Sequence, residues 1–320
     1  MTSPFHFPSL VWGESIAIYL FLLGISAGAT TLSVLLKRKG LAGADPAQNN
    51  IIRCNAFLAP ITIMSGLILL IFHLARPWTF WFLMFNYSST SIMSAGVMGF
   101  QLYMLFLVLW LVIIFQSLVL TWVQRLMPKM LAIATKAVAL ITGFSNIIEI
   151  ILLTISIFLG AYTGFLLSAL ISYPMLNNPV LPILFLASGT SSGIAALVLC
   201  ALFFTKASTT SKDIHYLHHI EYPVVIGEAF LLFAFFFGLY LGGGQKTVAF
   251  YTALGGGFWS YVFWIGVVAI GIVLPLALET FSRDRLKQRR SFAYTVAICT
   301  LIGVLCLRFF ILYAGQMTLA

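Results

Sequence analysis

Charge is what this chain has least of, with 17 Lys and Arg and 8 Asp and Glu among 320 residues. An ordinary soluble domain carries about a quarter charged residues, so 8 per cent charged against 61 per cent hydrophobic excludes that class. Polar connections are scarce as well. None is long enough for a nucleotide-binding or other water-soluble domain, which leaves cofactor chemistry to the space between helices or to a partner. Cys54, Cys200, Cys299 and Cys306 stand singly, without CxxC or CxxCH. That argues against an iron–sulfur cluster or an attached c-type haem on this chain. His215, His218 and His219 cluster at the start of one apolar segment, His73 ends another, and His6 lies in the N-terminal tail. No two segments offer a histidine pair at matched depth, so b-type haem has no candidate ligands either, and no metal is expected.

What the chain has is long apolar runs. A membrane span needs about 20 mostly apolar residues to cross about 30 Å of hydrocarbon. Eight stretches qualify, at about 14–36, 51–75, 91–120, 138–170, 179–205, 217–241, 258–279 and 292–314. Backbone groups in lipid must be satisfied within the protein, so runs this long form helices. The fold class expected is all-α integral membrane, one polytopic domain over residues 1–320 with eight transmembrane helices. The N-terminal stretch MTSPFHFPSLVWGES has no basic region and no small-residue cleavage site, so the first segment is expected to remain in the mature chain.

The net charge of +9 is a topology signal rather than a nucleic-acid footprint. Lys37, Arg38, Lys39 and Arg53 lie between segments 1 and 2; Arg125, Lys129 and Lys136 between 3 and 4; Lys206 and Lys212 between 5 and 6. Arg283, Arg285, Lys287, Arg289 and Arg290 lie between 7 and 8. The opposite connections hold Arg76 and Lys246, and Arg308 falls within segment 8. By the positive-inside rule the four basic loops are cytoplasmic and both termini lie outside, N-out and C-out.

The two halves, 14–170 and 179–316, look weakly related. Segment 1 reads LFLLGISAG (20–28) and segment 5 LFLASGTSSG (184–193), each with a Gly-x-Ser-x-Gly core. Tyr162-x-Gly164 in segment 4 is matched by Tyr313-x-Gly315 in segment 8. Copies four segments apart run parallel, which fits two four-helix bundles. The competing reading is chance, since small residues four apart are a general packing motif in membranes.

An ionisable group near the bilayer centre costs roughly 2.5–3.5 kcal/mol on insertion scales, so each one needs a reason. Glu14 opens segment 1, and Ser15, Tyr19 and Ser26 share one stripe on it. From position alone Tyr19 reads as an interfacial tyrosine with a wet hydroxyl. His73 and Arg76 end segment 2, followed by the aromatic run 78–87, which is too short and interrupted to span. Tyr162 lies near the outer end of segment 4, and Arg308 lies in segment 8 with Tyr313 and Gln316 beyond it. Snorkelling and belt packing explain each of these singly. Together they place Glu14, Tyr19, His73, Arg76, Tyr162 and Arg308 in the outer third, among dense aromatics. That combination suits a quinol, whose ring and tail need an apolar cleft open to lipid while its hydroxyls need polar partners. Glu221 and Glu228 share a face of segment 6, and Glu149 lies in segment 4. They read either as a proton wire or, preferably, as glue pairing with the histidine cluster, Lys136 or neighbouring polar groups.

The runs VWGESIAIYLFLLGISAG, FHLARPWTFWFLMFNYSSTSIMSAG, GAYTGFLLSALISYPMLNNPVLP and LRFFILYAGQ resemble the family of NrfD and polysulfide reductase membrane subunits, nearly end to end. The resemblance implies a haem-free, quinone-reactive anchor in the bacterial inner membrane, with eight helices in two four-helix bundles. It also implies quinol (menaquinol or ubiquinol) oxidation at the outer face. Electrons would pass to a ferredoxin-like iron–sulfur partner at the periplasmic face, then to c-type cytochromes for nitrite reduction to ammonium. In such relatives a segment 4 tyrosine and a segment 1 histidine and asparagine contact the quinone. Tyr162 in GAYTGF matches the tyrosine; Tyr19 stands at the histidine position and Ile16 at the asparagine position.

The alternatives are an anchor for a polysulfide, thiosulfate or sulfoxide reductase, a secondary transporter built on the same repeats, and a purely structural anchor. The charge distribution generates the first prediction. A reporter fused at Ala320 is expected to be active only outside the cytoplasm, and cytoplasm-only activity would overturn the topology.

Overall fold

The computed structural model describes residues 4–43, 45–74, 76–88, 90–205, 211–282, 287 and 289–319. Lys206, Arg283, Arg285 and Ala320, which enter the charge argument and its test, lie outside them. Among the described residues the protein is helical and without strands, and eight helices are long and apolar enough to cross a membrane. They are α1 (Glu14–Arg38), α2 (Asn50–His73), α3 (Ile92–Ile114), α4 (Ser145–Ser168), α5 (Leu181–Phe204), α6 (Lys212–Leu241), α7 (Phe258–Phe281) and α8 (Arg290–Gly315).

Hydropathy alone misplaces the ends of α3 and α4. The apolar run continues past Ile114, but the backbone leaves helical geometry at Phe115 (φ −104°, ψ 32°) and starts a separate helix, Gln116–Leu126. Likewise Leu131–Gly143 is a helix of its own, divided from α4 at Phe144. Hydrophobicity reports burial or lipid contact, not backbone continuity. In α7 the residues Val262–Val273 form wider π turns ahead of Pro275. A proline ring crowds the carbonyl four residues back in a regular helix, here that of Gly271.

α2 stops at His73 because the backbone turns extended at Leu74 (φ −67°, ψ 141°). Arg76 precedes Pro77, whose ring disfavours the helical region for the residue before it, and its backbone is non-helical (φ −135°, ψ 83°). The aromatic run then makes only a 3-10 turn, Pro77–Thr79, and one short helix, Phe80–Leu83. It does not span, and Trp78 is 87 per cent exposed.

α1 and α5 are the most enclosed spans. α1 packs on α2, α4, α5 and α8, and α5 also packs on α2, α4, α6 and α8; α3 is held mainly by α4, and α7 by α8. The two Gly-x-Ser-x-Gly motifs meet at the α1–α5 contact. A Cβ on Gly24 would lie 3.3 Å from Gly189 Cα, and one on Gly193 would lie 2.5 Å from the Ala29 nitrogen. Between helices in lipid there is little hydrophobic drive, so close backbone approach and interhelical hydrogen bonds supply the association. The hydrogen bonds are present beside the seam. Tyr103 of α3 reaches Ser26 Oγ at 2.9 Å and Thr30 Oγ1 at 2.7 Å, and Ser26 also donates to the Ala59 carbonyl of α2. Thr31 and Ser156 join α1 to α4 at 2.9 Å.

Both termini lie on one face. Ser9 Oγ donates to the Gln316 carbonyl at 2.6 Å, and the Val11 and Trp12 amides donate to Gln316 Oε1. Trp259 Nε1 donates to the Pro4 carbonyl. On the opposite, loop face, Glu149 pairs with Lys37 and, at 3.8 Å, with Arg38, rather than with Lys136. Lys39 sits over the Tyr216 ring at 5.0 Å.

The seam yields a stability test. Gly193→Ala puts a methyl against backbone that cannot yield and is expected to cost about 1–3 kcal/mol, as overpacking does. Gly227→Ala in α6, where a Cβ meets nothing within 4 Å, is expected to be neutral or stabilising by up to about 1 kcal/mol. Thermal unfolding of both in detergent checks this. Equal stability would remove the seam as a close contact.

Candidate functional site

A cavity of about 480 Å³ lies between α2 and α3 under the short helix Phe80–Leu83. Its inner wall is Tyr19 of α1, Phe100 of α3 and Tyr162 of α4; Leu67, Ile71 and Leu74 come from α2 and its end, Val97 and Met104 from α3. The wall is deep, with Tyr19 1 per cent, Tyr162 3 per cent and Phe100 5 per cent exposed. Met64, Ile68, Phe80 and Met93 on the rim are exposed. The opening therefore faces sideways, onto the apolar flank of the helices.

The placement of the two tyrosines follows from their neighbours. Phe100 stands edge-on between them, 6.2 Å and 74° from Tyr19 and 5.8 Å and 89° from Tyr162, the geometry favoured by aromatic quadrupoles. Tyr162 fits because residue 96 is glycine, since a Cβ there would fall on the phenol ring. Gly66 brings α2 close to Tyr19, whose Cδ2 would lie 3.4 Å from a Cβ at residue 66. Among the described residues neither tyrosine hydroxyl has a hydrogen-bond partner. The slot thus presents two phenols at the base of an apolar pocket.

The cover is fastened by Gln101 of α3. Its Nε2 donates to the Met84 carbonyl at 3.1 Å, and its Oε1 accepts from the Tyr87 hydroxyl at 2.5 Å. A lone amide inside the apolar run of α3 was the available sequence signal for this clasp; Gly96 carried no signal beyond small size.

The other residues expected at the site occupy different neighbourhoods. Glu14 accepts from the Tyr313 hydroxyl at 3.1 Å on the terminal face, near enough to His6 and His73 for electrostatic interaction. His73 is exposed and adjoins Leu74 of the cavity lining. Arg76 is exposed at the start of the cover and caps it through its carbonyl, which accepts from Thr79 Oγ1 at 2.9 Å. Arg308 is fully buried between α5 and α8, donating to Ser188 Oγ at 2.7 Å and the Phe185 carbonyl at 3.2 Å, with its guanidinium over the Phe185 ring. It does not line the cavity. Ser26 is part of the interhelical network, not of the slot.

A family model described as "Polysulphide reductase, NrfD" matches residues 2–320. The sequence is 55 per cent identical over 317 residues to "Protein NrfD homolog" of Haemophilus influenzae, covering 99 per cent of this protein and 98 per cent of that one. It is 50 per cent identical to "Protein NrfD" of Escherichia coli over 321 residues, covering 100 and 99 per cent. It is 39 per cent identical to a polysulfide reductase subunit of Wolinella succinogenes over 311 residues, covering 97 and 96 per cent. The protein belongs to the NrfD family.

The clasp generates a prediction about the cover. Gln101→Ala removes two exposed hydrogen bonds, roughly 1 kcal/mol together. Amide exchange at Met84–Tyr87 is expected to quicken roughly fivefold, with α3 protection intact. Unchanged exchange would mean that the Gln101 clasp does not hold the cover.

Proposed function

We propose that the protein is the quinol-oxidising membrane subunit of a respiratory oxidoreductase complex in the bacterial inner membrane. The observation that carries this is the lateral apolar slot with Tyr19 and Tyr162 at its base. An apolar tail would leave between the α2 and α3 rims into lipid, and the ring would sit against Phe100. The two phenols would then hydrogen-bond the quinol hydroxyls and hold them for oxidation. Each quinol gives up two electrons and two protons in becoming quinone. The electrons pass to an iron–sulfur partner on the terminal face, and the protons leave past His73 and Glu14 on the same face.

The orientation proposed with this reading puts the terminal face in the periplasm, in keeping with the basic loops opposite. The proposal also takes residues 14–170 and 179–316 as a repeat forming two four-helix bundles. In support, the pairings α1–α2, α1–α4 and α3–α4 recur as α5–α6, α5–α8 and α7–α8. Supply of electrons through c-type cytochromes for nitrite reduction to ammonium is favoured by the relatives named NrfD. The polysulfide reductase relative favours a second reading, in which the same slot serves a sulfur-compound reductase. Co-purification with native partners separates these, a multihaem cytochrome c supporting the first.

The decisive measurement is quinol-analogue oxidation in membranes with matched expression. Tyr162→Phe keeps the ring and removes one hydrogen bond, roughly 0.5–1.5 kcal/mol, so turnover or affinity is expected to fall several-fold while assembly persists. Gly96→Ala, which displaces the ring itself, is expected to be at least as damaging. Wild-type kinetics in both would exclude the slot as the quinol site.

A further inference from the structure

On the loop face a second polar cluster lies apart from the slot. His218 and Glu221 are three residues apart on α6, and their Nδ1 and Oε2 atoms are 3.2 Å apart. Glu279, near the end of α7, brings Oε1 to 3.7 Å from the same imidazole nitrogen. Thr300 of α8 points its hydroxyl at the other Glu221 oxygen, Oε1, at 3.4 Å. The three ligand-capable atoms all lie within 4.8 Å of one another.

We propose that His218, Glu221 and Glu279 form a binding site for a divalent first-row transition-metal ion that ties α6 to α7. Zn²⁺ takes nitrogen and carboxylate oxygen at about 2.0–2.2 Å in a tetrahedron, whose ligand-to-ligand edges are then about 3.3–3.6 Å. The two edges from the His218 nitrogen, 3.2 and 3.7 Å, lie within about 0.1 Å of that range, and the edge between the carboxylates is no longer than 4.8 Å. Charge points the same way. Two carboxylates face one imidazole, so with both carboxylates ionised the three side chains carry a net negative charge whether or not the histidine is protonated, and Glu221 is 2 per cent exposed. A dication with neutral His218 brings the triad to zero net charge, and unpaired buried charge is what low-dielectric surroundings penalise. Thr300 supplies the outer hydrogen bond that fixes a ligating carboxylate. His218 and Glu279 keep part of their side chains exposed, which leaves the ion a way in from the loop face. The sequence shows only a two-ligand fragment, His218-x-x-Glu221, because the third ligand comes from a different span.

The test is a Zn²⁺ titration of the tag-free, chelator-stripped full-length protein in detergent, followed calorimetrically, with Co²⁺ visible absorption as a second probe. One saturable equivalent is expected, together with a Zn²⁺-dependent rise in melting temperature. His218→Gln and Glu279→Gln should each abolish the Co²⁺ spectrum, and Thr300→Val should weaken binding roughly tenfold. The exposed neighbours serve as a control, since the double variant His215→Gln, His219→Gln should bind as wild type. The absence of a saturable site in the wild-type protein would overturn the proposal. So would binding that survives both ligand substitutions or disappears with the His215 and His219 pair.

Discussion

Where α1 meets α5, four glycines let two backbones come so near that a Cβ would be tight at Gly24 and Gly189 and has no room at Gly28 and Gly193, and the positions of the other spans follow from that contact. Helices in lipid gain little by hiding apolar side chains from one another, so the energy of association resides in dispersion at short range and in hydrogen bonds. Both concentrate on α1. Its glycine edge faces α5, its Ser26 and Thr30 face Tyr103 of α3, and its Thr31 faces Ser156 of α4. A helix fixed on three sides has no freedom of rotation left, so the direction in which Tyr19 points is determined two turns away from the seam.

That determination is what makes a cavity. α2 and α3 are each held against the inner helices rather than mainly against one another, with Ala59 of α2 and Tyr103 of α3 both bonded to Ser26. Toward the terminal face no such polar link joins them among the described residues, and the gap between them is where the slot lies. The aromatic connection closes it from above through Gln101. The proposed substrate path therefore depends on polar bonds being present near mid-span and absent near the rim.

Much of this was legible in residue order. Span number, the failure of 78–87 to cross, and the importance of the Gly-x-Ser-x-Gly motifs all follow from composition and spacing, because lipid imposes length and small residues impose approach. The partition of the polar groups was not legible. Glu14, Arg308 and Tyr162 all lie toward the terminal-face ends of their helices, yet rotation about each axis sends them to Tyr313, to Ser188 and Phe185, and to the slot. Depth can be counted along a sequence, whereas azimuth depends on partners that only the packed bundle specifies. The breaks at Phe115 and Phe144 escaped for a related reason, since an apolar residue is equally at home on either side of a kink.

Tyr162 and Tyr313 show how far one motif can diverge in consequence. Each precedes a glycine that receives a neighbour closely, Gly164 against Pro182 and Gly315 against Leu176, so the local reason for Tyr-x-Gly is the same in both. The surroundings differ. Tyr313 is stacked on Trp259 at 4.6 Å and bonded to Glu14, with Phe5 of the N-terminal tail against its edge. The tail that Gln316 fastens down thereby fills the space beside Tyr313, whereas no terminal segment crosses the corresponding space beside Tyr162 among the described residues. If the halves arose as copies, a strap of a few residues is sufficient to leave one phenol facing an open slot and to turn the other into a packing element.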